Sequence, residues 1–354
     1  MPKIKTPTMS DVARLTGFSS MTVSRALRAD TSTSDETRLK ILDAADKLGY
    51  VLDGTAAGLS SRKTGFVAVI IPSINNANFA FTVRGLTEGL RNSGLQVLLG
   101  YTDYKMDEEE RLVKTLLTRR PEALVITGGV HTERCRQYLY SSGVPIVEMW
   151  DSPPSPIDHV VGFSNARAGR IMARHLYDQG YRKIGFIGGD TDSDIRGADR
   201  RRGFVETISD FGLGTDRLWQ SDQPVLTMAG GAKAMHELLD QYPDTDAVMC
   251  ASDLSAFGAM MTCQKRGLTI PDDIAIAGFG AYDISANALP EITTIDVSAR
   301  GIGTQVAEVI KSSLADKTHS RDSANIDIPT RLIVRKSTAG WLYSLLFIFR
   351  VKFH

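Results

Sequence analysis

Cysteine is scarce in this chain. Only Cys135, Cys250 and Cys263 occur in 354 residues. They lie far apart and none belongs to a C-x-x-C pair. That excludes a disulfide framework and a zinc ribbon, and predicts reduced thiols buried as small apolar side chains. Net charge is absent as well: 41 Lys and Arg balance 41 Asp and Glu, so no overall attraction to nucleic acid follows. Aromatics are only 7% of the chain, yet the end, "WLYSLLFIFRVKFH", is rich in them. Its apolar run is far shorter than the roughly 20 residues a membrane span needs. "MPKIKTPTMSD" has no apolar signal-peptide core, so a cytoplasmic location is expected. The glycine pairs Gly128–Gly129 and Gly188–Gly189 have neither the G-x-G-x-x-G nor the P-loop spacing, so a nucleotide-dependent enzyme is not expected. No Ser/His/Asp or metal-ligand cluster stands out, and no cofactor is expected. His131, His159, His175 and His236 are scattered and read as surface or helix residues.

What charge there is sits unevenly. Residues 1–64 carry ten Lys and Arg against seven Asp and Glu, about +3, the sign of a nucleic-acid-facing segment. The same segment reads as three helices. "SDVARLT", capped at Ser10 or a neighbour, carries Val12, Ala13 and Leu15 on an apolar stripe and stops at Gly17. "SSMTVSRAL" follows with Ser19 as N-cap. A third helix runs from about 34 to 48, with Leu39, Leu42, Ala45 and Leu48 at helical spacing. If Val12, Leu15, Val23 and Leu27 are buried between the first two helices, Ser20, Met21, Thr22, Ser24 and Arg25 face outward. A helix of this kind fits a major groove, and its N-terminal hydroxyls suit phosphates. The same residues also suit a plain helical hairpin with a solvated polar face.

From Gly65 strands and helices alternate. "GFVAVIIPS", "LQVLLGYT", "EALVITGG" and "VPIVEMW" are strands separated by amphipathic helices, the pattern of a parallel sheet covered on both faces. The pattern then restarts. "RKIGFIGG…RRRGFVETISDFGL" echoes "KTGFVAVII…VRGLTEGLRNSGL", which predicts two similar doubly wound lobes. "DAVMCAS" and "IAIAGFG" are further strands of the second lobe.

The D-V-A-x-x-x-G-x-S-x-x-T-V-S-R pattern with "KLGY" resembles the DNA-binding head of the LacI/GalR regulator family. "RKIGFIGG", "DAVMCASDLSAFGAM", "GLTIPDDIAIAGFG", "PEITTI" and "RLIVRKST" extend the likeness over nearly all of residues 8–338. The resemblance implies an N-terminal all-α helix-turn-helix head joined to an α/β two-lobed, periplasmic-binding-protein-like body of two doubly wound parallel sheets. It implies a homodimer on an inverted-repeat operator in double-stranded DNA, sensing a small metabolite between the lobes. The expected domains are a head at 8–49, a hinge at 50–63 and a body at 64–338. Lobe 1 is about 64–162 plus 293–322, and lobe 2 about 163–292 plus 323–338. Residues 339–354 match nothing in the family and read as a frameshifted or read-through end, or as an added amphipathic segment.

The family's functional positions carry over to matching residues. DNA contacts are expected from Thr8, Ser10, Ser19, Ser20, Met21, Thr22, Ser24 and Arg25. In the hinge, Leu59 matches a leucine that enters the minor groove and Ala56 the small residue that lets paired hinge helices touch. Asp53 takes the N-cap, while Gly54 and Gly58 weaken that helix. Effector contacts are expected from Asn78, Phe79, Trp150, Arg196, Arg200, Ser252, Gly280 and Asp283. For Phe79 the rival reading is lobe core. For the arginine run it is a solvated basic face, above all at Arg201 and Arg202. Gly280 stands where many relatives have an Asp that grips sugar hydroxyls. Loss of that acid beside retained arginines points to an anionic effector. "GFGAYDIS" and "PIVEMWDSP" most resemble gluconate-utilisation repressors, so gluconate or a related sugar acid is expected. The alternatives are a neutral sugar or purine effector and, remotely, a sugar-binding protein or enzyme without a DNA role.

Overall fold

The computed structural model describes residues 6–28, 32–52, 64–189, 194–221, 227–315 and 323–339. The chain divides into two units, Met1–Thr64 and Gly65–His354.

The first unit holds α1 (Met9–Thr16), α2 (Ser20–Leu27) and α3 (Asp35–Leu48). Each begins on a hydroxyl that satisfies an orphan amide of the first turn. Thr8 caps α1 in a capping box with Asp11, Ser19 accepts from Thr22 N, and Ser34 from Thr37 N. Ser10 is therefore not the cap of α1; it lies inside the helix and is exposed. Gly17 ends α1 at φ 74°, as the turn requires. Val12, Val23, Ala26, Ile41, Ala44 and Ala45 form the core, with Ala13, Leu27 and Tyr50 packed against it. Leu15 and Leu39 depart from expectation, at 56% and 68% exposed. At 100° per residue Leu15 lies about 110° from the centre of the Met9–Val12–Ala13–Thr16 stripe, and Leu39 almost opposite the Ile41–Ala44–Ala45 stripe.

The second unit alternates as expected. It runs β1 (Phe66–Ile71), α4 (Ala77–Leu90), β2 (Gln96–Tyr101), α5 (Met106–Leu117), β3 (Ala123–Thr127), α6 (Glu133–Ser141), β4 (Ile146–Met149) and β5 (His159–Gly162). Then come α7 (Asn165–Asp178), β6 (Ile184–Gly189), α8 (Ile195–Asp210), β7 (Leu218–Ser221), α9 (Met228–Gln241), β8 (Ala247–Cys250), α10 (Asp253–Lys265) and β9 (Ala275–Ala277). It closes with α11 (Asp283–Asn287), β10 (Thr294–Asp296), α12 (Ala299–Ala315), β11 (Asn325–Asp327) and β12 (Arg331–Ile333). Two larger sheets result, ordered β11-β5-β4-β3-β1-β2 and β7-β6-β8-β9, every pairing within them parallel, beside a two-stranded sheet of β10 and β12. Strands such as β1 and β3 are apolar on both faces because helices cover both.

Two boundaries differ from expectation, at β10 and at β11. β11 pairs with β5, Asn325 opposite Val160, so this strand completes the first lobe's sheet rather than belonging to the second lobe. β10 pairs antiparallel with β12, and Thr293 bridges Ala277 of the second sheet. The chain therefore passes between lobes three times, near 163–164, 297–298 and 328–330.

Three helix pairs approach through reciprocal glycines. A Cβ at Gly85 or Gly303 would strike the backbone across α4–α12, at Gly169 or Gly203 across α7–α8, and at Gly231 or Gly258 across α9–α10. Gly85 and Gly203 occupy the Arg-Gly step of the internal sequence echo, which thus marks where helix meets helix. No helix of the described residues is long and apolar enough to cross a membrane.

Candidate functional site

In the head, Ser19, Ser20, Met21 and Arg25 are exposed, and Thr22 and Ser24 half-covered. Met21 is 66% exposed. Arg14 is paired with Asp11, Lys40 with Glu36 and Lys47 with Asp43. Arg25 has no ion pair among the described residues, so its guanidinium projects from α2 uncommitted. The hinge residues Asp53, Gly54, Ala56, Gly58 and Leu59 lie outside the described residues.

In the body, a cavity of about 70 Å³ opens between the lobes at the C-terminal ends of the strands, where doubly wound sheets bind ligands. Asn78, Phe79, Trp150, Arg196, Arg200 and Ser252 line it together, six of the eight positions read from sequence. Gly280 touches its wall through the backbone: its carbonyl accepts from Asn78 Nδ2 at 3.0 Å. With φ 115° and a hypothetical Cβ 2.6 Å from the Tyr282 ring, only glycine fits there. Asp283 does not line the cavity; it is exposed at the start of α11 and accepts from Asn287. Asn76, Tyr104, Asp194, Phe279 and Tyr282 also line the cavity, beyond the positions expected from sequence. Phe279 and Tyr282 lie within the quoted "GFGAYD". Tyr104 follows a strand end, and Asp194 precedes a helix, where it caps Gly197 N at 3.1 Å.

The floor is aromatic. Phe79 meets Trp150 edge-on at 5.1 Å, Trp150 meets Phe163 at 5.8 Å, and Phe163 meets Phe279 at 6.3 Å. This row runs from one lobe to the other through the first crossover. Trp150 adopts φ 71°, rare for a side chain of its size. Its carbonyl accepts from Asn165 Nδ2 and its indole N–H donates to Thr82 Oγ1 at 3.1 Å. Both readings of Phe79 hold, for it is 4% exposed and lines the cavity.

The cations stand over this floor. α8 places Arg196 and Arg200 one turn apart. Arg200 is 9% exposed, stacks over Phe279 at 4.2 Å and donates to the neutral Asn165 Oδ1 at 2.6 Å. Arg196 lies over Phe79 at 5.8 Å. Neither has a carboxylate within ion-pair distance among the described residues, and Arg200 Nε is buried without a partner. Burial pushes the Arg200 guanidinium below its usual range. Of the neighbours expected to be solvated, Arg202 is exposed with Asp199 and Glu206, whereas Arg201 is buried. Tyr282 Oη donates to Asn76 Oδ1 at 2.8 Å across the cleft, and with Asn78–Gly280, Asn165–Trp150 and Arg167–Asp327 it fastens lobe to lobe.

His175 and His236 lie on helices, as read from sequence, while His131 and His159 depart from that reading, buried in a loop and on a strand. His159 and His175 are buried and each is hydrogen-bonded; His236 alone of the four is exposed. His131 is buried among Glu109, Cys135 and Glu148. All three cysteines are buried and free, as their spacing predicted.

Residues 8–53 match the model for bacterial regulatory proteins of the lacI family. Residues 64–336 match that for periplasmic binding proteins and the sugar-binding domain of the LacI family. The HTH-type transcriptional regulator GntR of Pseudomonas aeruginosa is 35% identical over 94% of this chain and 96% of its own length. A LacI-family transcriptional regulator from Silicibacter pomeroyi has a TM-score of 0.87 at 33% identity, covering 94% of this chain and all of that one. The lac repressor dimer bound to operator shares the fold at 22% identity and TM-score 0.83, covering 95% and 100%. An exposed helix-turn-helix head and a two-lobed body around a cleft thus agree with sequence likeness along nearly the whole chain: the protein belongs to the LacI family of DNA-binding transcriptional regulators.

Proposed function

We propose that this regulator is a cytoplasmic homodimeric repressor whose hold on an inverted-repeat operator is set by a sugar acid of the gluconate class. The observation that carries the effector class is Arg200. A buried guanidinium with only an uncharged amide and an aromatic face for partners is costly unless an anion completes it. Arg196 in the same cavity strengthens the preference for a carboxylate, and Asn76, Asn78, Ser252 and Tyr282 offer partners for hydroxyls. The cleft is bridged beside this cavity by the Asn78–Gly280 and Tyr282–Asn76 hydrogen bonds. A six-carbon acid therefore enters with the lobes parted and breaks or replaces the Asn78–Gly280 and Tyr282–Asn76 bonds. That movement is the transmissible signal.

In the head, α2 enters the major groove, with Ser20, Met21, Thr22, Ser24 and Arg25 toward the bases and Thr8, Ser10 and Ser19 toward phosphates. The hinge, with Ala56 and Leu59, acts at the minor groove. A second copy of the chain is supported by the apolar surface of lobe 1. Ile74, Phe81, Leu98, Leu99 and Tyr101 are all at least 40% exposed, three of them on the edge strand β2.

Calorimetry with the purified protein tests the effector. Heat from gluconate or a related acid, with none from the matching neutral sugar, is expected. Binding of neutral sugars or purines with no response to acids overturns the reading.

A further inference from the structure

Glu109 on α5, His131 after β3 and Cys135 on α6 turn toward one point inside the first lobe, away from the aromatic floor. His131 Nδ1 is 2.7 Å from Glu109 Oε1, and Cys135 Sγ is 3.7 Å from the same oxygen. One ligand atom from each lies within 4.8 Å of the others. Tetrahedral bonds of about 2.0–2.3 Å set ligands about 3.3–3.7 Å apart, so a metal would need the His–Glu edge to widen by roughly half an ångström. The far ring nitrogen, Nε2, faces Glu148 Oε1 at 3.4 Å. Both atoms belong to fully buried side chains, and both lack a hydrogen-bond partner. Glu148 sits on β4, a strand otherwise apolar, and its other oxygen accepts from Ile157 N at 2.6 Å. A carboxylate aimed at the free nitrogen of a ligating imidazole is the usual support of a metal-bound histidine.

We propose that Glu109, His131 and Cys135 bind a zinc-class divalent transition metal, with Glu148 positioning the His131 ring from behind. A thiolate, an imidazole and a carboxylate together favour zinc or cobalt(II) over magnesium or calcium. His131 binds through Nδ1 and turns its Nε2–H toward Glu148, which removes both orphans. A fourth position remains for water. Glu109 also lines a small cavity of about 40 Å³, shared with Tyr104, Gly128, Asp151 and Arg196, which supplies room for that water.

The probe is Co²⁺, added to untagged full-length protein previously stripped with a chelator. The expected result is one equivalent bound, with the intense visible bands of tetrahedral cobalt, a thiolate-to-cobalt charge-transfer band, and displacement of both by Zn²⁺. Cys135→Ser, checked for folding by circular dichroism, loses the charge-transfer band. Glu148→Gln keeps the band but binds about 10–100-fold more weakly. No saturable spectrum overturns the proposal and leaves His131 as an imidazolium between two carboxylates. A charge-transfer band that persists in Cys135→Ser also overturns it, by moving the metal to Cys250 or Cys263.

Discussion

Arg200 and Gly280 define the cleft at the scale of single residues. The Arg200 guanidinium is desolvated and partnered only by Asn165 and the face of Phe279. Replacing an unpaired buried charge by an apolar side chain of similar size is neutral or stabilising. Arg200→Met is thus expected to keep or raise the melting temperature while ligand affinity falls at least about 30-fold, the equivalent of about 2 kcal/mol. Thermal denaturation and calorimetry on the same preparation check both halves. Lower stability with unchanged binding would mean a structural role. Gly280 behaves in the opposite sense. Gly280→Ala forces a Cβ against the Tyr282 ring and Asn78 Nδ2 at φ 115°. Stability is expected to fall by about 1–3 kcal/mol, read as a lower denaturation midpoint.

The elements show which parts of the structure were legible in the sequence. Strand and helix order, the caps at Ser19 and Gly17, and the glycine echo are local patterns, and each survives in the fold. The Arg-Gly step repeats because both lobes bring two helices into backbone contact at that point. Leu15 and Leu39 are apolar yet face away from the head's core, because apolar identity alone does not fix the rotation of a helix. β11 was misassigned because three residues carry no periodicity; only their partner, β5, decides the lobe. The Glu109–His131–Cys135 group was invisible because its members come from three elements that meet only in three dimensions. At the cleft, the family pattern located six lining residues, while Tyr104 and Asn76 arrive from loops whose course depends on the sheet.

Asp253, first residue of α10, is another such meeting point. It is fully buried and accepts from Tyr282 N at 2.7 Å and Thr294 Oγ1 at 2.6 Å. Burial still outweighs these bonds and raises its carboxyl to about 6. The folded state therefore keeps this proton where the unfolded chain, near its usual value of about 4, has lost it. The resulting cost is absent below about pH 4 and complete above about pH 6. Two pH units correspond to about 3 kcal/mol. Relative to Asp253→Asn, the wild type is expected to lose stability on this order as pH rises from 4 to 6. A pH-independent difference between the two in urea titrations would contradict it. On α2, Arg25→Ala is expected to weaken operator binding by about 1–3 kcal/mol, and unchanged affinity in a gel-shift titration would remove Arg25 from the interface.

For the whole molecule, the end of the described chain is tied into the second lobe. Ser337 Oγ donates to Ile276 O, and Thr338 Oγ1 bonds Thr293 and His175. Both residues are fully buried. Deleting residues 340–354 is therefore expected to leave operator binding intact and improve solubility, whereas deletion from 337 onward destabilises the lobe. Loss of DNA binding in the shorter deletion would assign the tail a role.

The aromatic row has an optical consequence. Trp150 is one of three tryptophans and, among the described residues, the one that lines the cleft. Its indole is buried, hydrogen-bonded at Thr82 and wedged between Phe79 and Phe163, so parting the lobes would change its solvation at once. The protein carries its own fluorescent gauge of cleft opening. Excitation of the native chain can follow the arrival of a ligand in real time, with no label attached.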